Sequence, residues 1–327
     1  MGTLNSHELI ASTAAIENGL DFAASAVEDM AGERLNRQKY AALHLFASIE
    51  ILVKSRLARE HWTLTVADAD KADFEDFKSG RLRSVGAVQG LKRLNLVSNL
   101  KLAQHHVEDV QAVEKLRNRT AHFALGGEPP EAVAATLARG LEFLLWFLDK
   151  HLRPGALPEE SAAIDGLLDG ISTKLGEIRS FVEARTKALV ETLAALDLVV
   201  ACPRCDQDAL AIAGAMVRCH FCLYLATDGE TGAEEYASAS LGEDKYRTYK
   251  HGGEWPVHDC IHCMAQALVG GVIVVGRRDI NWVCFSCGFS ASAHGLAQCS
   301  ACGALEEGAL DEAEMCSACM TYYMSRE

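Results

Sequence analysis

Apolar residues recur at helical spacing through the first 198 residues of the chain and then lose that period. Segments 6–30 and 33–61 carry the spacing and predict two helices joined near Gly32. Residues 63–84 are polar and charged and predict a loop with a short helix, while 85–101 predicts one or two short helices. A further helix is predicted from about residue 107 to a stop at Gly126 and Gly127, after which Pro129 and Pro130 open another that reaches about Leu152. Over 141–148 that last helix is apolar on nearly every side, the pattern of a helix central in a bundle or shared with a second subunit. Residues 158–198 show a narrower stripe: Ile164, Leu168, Ile171, Leu175, Ile178, Val182 and Leu189. Its steps alternate four and three with one interruption at Arg185, which is a coiled-coil seam. As one continuous helix it would reach about 60 Å. Gly166, Gly170 and Gly176 weaken it as a free-standing helix, so it needs a neighbour. A second copy is the favoured neighbour and the bundle itself the alternative.

Past residue 198 the chain turns to short apolar and β-branched runs, 209–217, 269–275 and 282–283, of the kind small hairpins use. Around them sit all 12 cysteines in six Cys-x-x-Cys pairs: Cys202/Cys205, Cys219/Cys222, Cys260/Cys263, Cys284/Cys287, Cys299/Cys302 and Cys316/Cys319. Two such pairs at the right separation form a tetrahedral thiolate site of the zinc-ribbon kind. Taken in order, the pairs make three sites with intervening loops of 13, 20 and 13 residues. An arrangement in which the outer pairs of the last four enclose the inner two is also open on spacing. A glycine after each pair, usual in rubredoxin-like iron sites, follows only Cys287 and Cys302, which favours zinc. Four thiolates leave a zinc ion no open position, so the three zinc sites are expected to be structural and not catalytic. His220 and His262, inside pairs, are expected bystanders. Residues 227–259 are rich in glycine and acid and predict a loop or flexible link.

The expected architecture is a mainly α N-terminal bundle followed by small metal-bound β modules. Its parts are a bundle over 1–155, a long connecting helix over 156–199, a first zinc ribbon over 200–228, an acidic linker over 229–257, and further ribbons over 258–292 and 293–327.

Composition narrows the class. A hydrophobic content of 49% over 327 residues supports two or three folded domains, not a disordered chain. No apolar run reaches the roughly 18 residues of a membrane helix, and the N-terminus lacks a secretory pattern. Met1-Gly2-Thr3-Leu4-Asn5-Ser6 fits a myristoylation pattern, a common one. Without a secretory signal the cysteine pairs read as metal ligands in a reducing cytoplasm, not as disulfides. The net charge of −14 is unevenly spread, because residues 1–155 hold 19 basic and 20 acidic residues and the excess acid lies beyond. Within that balanced part, Lys78, Arg81, Arg83, Lys92, Arg93, Lys101, Lys115, Arg117 and Arg119 face only Glu108, Asp109 and Glu114. They predict a footprint for a polyanion, a solvated helix face being the alternative. The ribbons are acidic, and each thiolate-bound zinc adds two formal negative charges, which favours protein recognition or a sensor role over direct nucleic-acid contact there. Trp255, Trp282, Phe221 and Tyr224 are nevertheless candidates for stacking on bases.

Chemistry concentrates in Leu116-Arg117-Asn118-Arg119-Thr120-Ala121-His122-Phe123. At about 100° per residue, Arg117, Asn118 and His122 share an arc of roughly 140°, while Val113, Leu116 and Thr120 fall opposite and can face a core. A guanidinium, an amide and an imidazole side by side suit a phosphodiester. The spacing alone is weak, since Arg56 and His61 repeat it. Glu50 lies among the apolar residues Phe46, Val53 and Leu57, where a carboxylate wants a partner. Arg117 or Arg119 is one expected partner, and Lys54 four residues on is the other.

The stretch resembles the Arg-Asn-x-x-x-His motif of HEPN domains, and Glu50 with Lys54 resembles a Glu-x-x-x-Lys often found on the corresponding helix. The resemblance reaches to about Leu152. It implies a small helical bundle acting as a homodimeric, metal-independent endoribonuclease, in a toxin or antiviral-defence setting. It also implies attack of a ribose 2′-OH on its own 3′-phosphate to give a 2′,3′-cyclic phosphate. His122 would serve as base or acid, Arg117 would stabilise the phosphorane, and Asn118 would orient the phosphate or its partners. A tyrosine that one branch of the family carries two residues after the histidine is Ala124 here. The competing expectations are a non-catalytic RNA-binding bundle and a zinc-ribbon adaptor that engages proteins.

Overall fold

The computed structural model describes residues 6–32, 35–122, 129–308, 310 and 314–325, so the Gly126–Gly127 stop, Ala124 and most of the myristoylation pattern lie outside it. It forms two compact units, Met1–Ala188 and Leu189–Glu327. Among the described residues no helix is long and apolar enough to cross a membrane.

The first unit is helical: α1 (Ser6–Ala31), α2 (Gln38–Glu60), α3 (Phe74–Lys78), α4 (Ala87–Ser98), α5 (Gln104–His122), α6 (Pro130–Phe147), α7 (Pro158–Glu177) and α8 (Arg179–Ala194), whose last residues pass into the second unit. One π turn, Leu148–Leu152, prolongs α6. α2 lies at the centre and packs on α1, α4, α5 and α6. Its Leu45, Ile49, Leu52, Val53 and Leu57 are fully buried, as are Leu141, Phe147 and Leu148 of the apolar stretch. Of the two settings that stretch allowed, the structure takes the central one. Gly140 permits the closest approach of α6 to α5, since a Cβ there would sit 2.4 Å from Val113 Cγ2.

The helix expected over 158–198 is two helices, parted at Ile178, whose backbone is extended (ψ 93°). Its first half packs on α1 within the chain. Ile164, Leu168, Ile171, Leu175 and Ile178 are at most 5% exposed, so this first part of the seam is covered by its own bundle and is not left for a second copy. Turning at Ile178 also buries Phe181, which stands outside the four-three alternation. Glu160 explains how the first half is seated. Its buried carboxylate accepts from the Leu157 N–H (3.0 Å) and from Arg59 of α2 (2.7 Å). Arg185, the break in the stripe, is 4% exposed and forms an ion pair with Glu142, the break in the apolar stretch of α6. Two anomalies of pattern thus satisfy each other, as buried charge requires.

The second unit holds three antiparallel sheets. The first has order β1-β2-β3: β1 (Val199–Ala201), β2 (Asp208–Ala213) and β3 (Met216–Cys219). The stretch expected to be a linker instead folds as α9 (Gly229–Ala239) and α10 (Lys245–Lys250), capped by Asp228 and Asp244. The next sheet has order β4-β5-β6-β7: β4 (Val257–His258), β5 (Leu268–Gly270), β6 (Trp282–Cys284) and β7 (Ser290–Ala291). A hairpin, β8 (Leu296–Gln298) with β9 (Leu305–Glu307), and α11 (Ser317–Met324) follow. α9 packs on β3, β4 and β5. Gly229 is required where it enters, because a Cβ would lie 2.5 Å from the Ser286 Cα, and Tyr236 meets Phe285 at 5.2 Å between ring centroids. The run expected as strand over 269–275 turns away at Gly271 (φ +78°), and its Val275 N–H reaches the Val199 carbonyl at 2.8 Å. The first two cysteine modules are therefore joined through their strands and through α9.

Candidate active site and metal centres

α5 ends in the motif. Val110, Val113 and Leu116 are buried, which fixes the rotation of the helix and turns Asn118 and His122 out to solvent, with Arg117 half-buried at the edge of their arc. Arg117 donates to Asn118 Oδ1 at 2.9 Å, and its guanidinium carbon lies 5.4 Å from the Phe46 ring centroid. The expected pairing with Glu50 does not form. Glu50 accepts from Lys54 at 2.9 Å, and Lys54 donates again to Ser84 Oγ at 2.8 Å. Phe46 sits one turn before Glu50 on the same face of α2, so Arg117 docks a turn short of the carboxylate. Partly exposed and already paired with Lys54, Glu50 has no need of an arginine.

Part of the basic footprint is consumed within the fold. Lys78 pairs with Glu75 at 2.8 Å, Arg81 pairs with Asp76 at 2.6 Å, and Arg93 donates to the carbonyls of Leu64, Val66 and Ala67. Arg83, Lys92, Lys101 and Lys115 stay exposed with no ion pair among the described residues.

A second group of titratable residues had no signal in the spacing. His106 of α5 stacks on Trp146 of α6 at 3.8 Å between centroids, and His151 of the π turn meets the same indole at 4.6 Å. Burial, with His105 and His151 beside it, pulls the His106 pKa down to about 4.

The twelve cysteines form three clusters, Cys202/Cys205/Cys219/Cys222, Cys260/Cys263/Cys284/Cys287 and Cys299/Cys302/Cys316/Cys319, all unbridged. Pairs thus combine in chain order, and the enclosing arrangement is not adopted. Neighbouring sulfurs stand 3.7–3.8 Å apart, as between Cys205 and Cys219 or Cys263 and Cys284. A tetrahedron with metal–sulfur bonds of about 2.3 Å has edges of about 3.8 Å, so the spacing fits a four-coordinate ion such as zinc. Backbone N–H groups turn toward the sulfurs, as from His262 to Cys260 at 3.4 Å and from Ser286 to Cys284 at 3.4 Å. Five of the six pairs are followed by a left-handed residue: Asp206, Leu223, Met264, Gly288 and Gly303. Three of those five are not glycine, so glycine after the pair does not separate zinc from iron in this chain.

Both histidines lie outside the sulfur clusters. His262 bonds Glu307 at 2.9 Å and stacks on Phe289, which ties the second module to the third. Arg204, between the first two cysteines, is held by Glu235 of α9 at 2.9 Å, and the same carboxylate accepts from the Tyr224 hydroxyl. Burial and that carboxylate push the Tyr224 phenol far above its ordinary pKa. Sequence reasoning missed Glu235; the Asp228 cap was the available sign of its helix. The aromatic residues expected to stack on bases are occupied, for Phe221 and Trp255 are buried and Trp282 covers Gly270. Comparison with family models, with curated proteins and with solved structures found no match.

Proposed function

We propose that the helical unit is a metal-independent endoribonuclease of the HEPN type, with Arg117, Asn118 and His122 as its working residues. One observation carries the reading: among the described residues no carboxylate neutralises Arg117. It is held by an amide and an aromatic face, and its charge stays available to a phosphate. Most other arginines of the unit are spent on acids, among them Arg56 on Glu60, Arg59 on Glu160 and Arg139 on Asp109. His122, exposed one helical turn further on, takes the 2′-OH proton as the oxygen attacks phosphorus. The 5′-oxygen leaves and is protonated, giving a 2′,3′-cyclic phosphate and a 5′-hydroxyl. Arg117 balances the charge that builds on the phosphorane. The three cysteine clusters hold zinc and take no part in the step. A toxin or antiviral-defence role, and work as a homodimer in the cytoplasm, belong to the same reading and rest on the family resemblance.

The test is full-length protein on end-labelled single-stranded RNA, with and without EDTA. Cleavage is expected to survive chelation and to leave cyclic phosphate ends. His122→Ala and Arg117→Ala should each slow it by at least about 100-fold. Cleavage undiminished in His122→Ala defeats the proposal, and binding without cleavage by the unaltered protein favours the non-catalytic reading.

A further inference from the structure

The second and third cysteine clusters flank a cleft of about 540 Å³, within the range of ligand-binding sites. Val257, Ile261, Met264 and Leu305 give it an apolar lining, and Asp259 is its acid. No lysine or arginine lines it among the described residues. Met264 is 74% exposed, a large and adaptable apolar side chain left in water beside that acid. Val257 and His258 of the lining belong to β4, the outer strand of its sheet, whose second edge has no strand partner among the described residues. Residues 189–327 hold 19 acidic against 8 basic residues, and each cluster adds negative charge once a divalent ion is bound by four thiolates.

We propose that this cleft receives a basic protein segment. An apolar side chain covers Met264 and Leu305, and flanking lysines or arginines face Asp259 and the clusters. RNA is the poorer occupant, because the same charges repel phosphate and no phenylalanine, tyrosine or tryptophan lines the cleft among the described residues. The inference is independent of the cleavage reading, since it concerns other residues and another ligand.

The experiment uses the full-length, metal-loaded protein and the fluorescence anisotropy of a short labelled peptide alternating lysine and valine. A glutamate-for-lysine twin and a labelled single-stranded RNA serve as the other probes. Only the lysine peptide is expected to bind. Asp259→Lys and Met264→Lys should weaken it at least about tenfold, while Glu191→Lys on α8, with the same charge change as Asp259→Lys, should leave it within about twofold. Metal content reports folding, and if Asp259→Lys loses metal, Met264→Lys decides alone. Equal weakening by Glu191→Lys, failure of the peptide to bind, or RNA competing for the site each overturns the proposal.

Discussion

Gly140 sets how near the motif helix can come to the middle of the bundle. Alanine at that position gains about 1 kcal/mol of helix propensity. Its methyl group, however, would lie 2.4 Å from Val113 Cγ2 and 3.0 Å from Leu45 Cδ2. Val113 has little rotamer freedom on a helix, so the overlap must move α5. Overpacking of this kind costs about 1–3 kcal/mol, which outweighs the propensity gain. Gly140→Ala is therefore expected to destabilise the protein by up to about 2 kcal/mol. The midpoint of urea unfolding checks it, and a variant more stable than the parent would show that Val113 and Leu45 yield easily. His122→Ala makes the contrasting case at the same scale, because an exposed side chain can be lost with little effect on that midpoint.

α5, α6 and the π turn meet around Trp146, with His106 and His151 against it. Charging either imidazole there works against burial and against its cationic neighbours, His105 for His106, and Arg56 with Lys150 for His151. The folded pKa of His106, about 4, lies below the ordinary value near 6.5, so between those values the unfolded chain binds more protons. The stabilisation is complete above pH 6.5 and is lost progressively as the pH falls toward 4. Because His106 is only half-buried, solvent screening holds the loss to on the order of 1 kcal/mol. Unfolding midpoints measured across that window should fall in the parent and fall less in His106→Phe, which keeps the aromatic contact without the charge; parallel slopes would refute it. Nothing in the spacing of apolar residues announced this cluster, since the π turn that carries His151 has no sequence period. The helices themselves were legible, α5 and α6 especially, because buried Val110, Val113 and Leu116 keep a helical beat and Pro129 with Pro130 marks a start. What the beat withheld was the partner. The stripe from Ile164 to Ile178 states which face is covered, and it reads alike whether α1 or a second copy covers it.

At the scale of the molecule the two units are stable for different reasons, and the cysteines were the most readable feature because four-thiolate chemistry needs them in pairs. The linker expectation for 229–257 failed because glycine and acid were read as flexibility. Gly229 is there for a close approach to Ser286, and Asp228 is there to cap a helix. The helical unit has a core of its own built on α2. In the second unit the strands run from two to six residues, too short to fold without the cross-links that clusters supply. Removing the metal should therefore undo one unit and spare the other. Titration with a thiol-reactive mercurial is expected to release three metal ions for twelve thiols. Limited proteolysis of the stripped chain should then cut throughout the 199–327 region while a fragment ending near Ala188 persists with its helical circular dichroism. The proposed RNA cleavage, which draws on α5 alone, should persist with that fragment. If the helical signal instead collapses together with metal release, the first unit depends on the second for its fold. If the helices persist and cleavage stops, the metal-bound unit supplies part of the active machinery, and assigning catalysis to Arg117, Asn118 and His122 alone would be wrong.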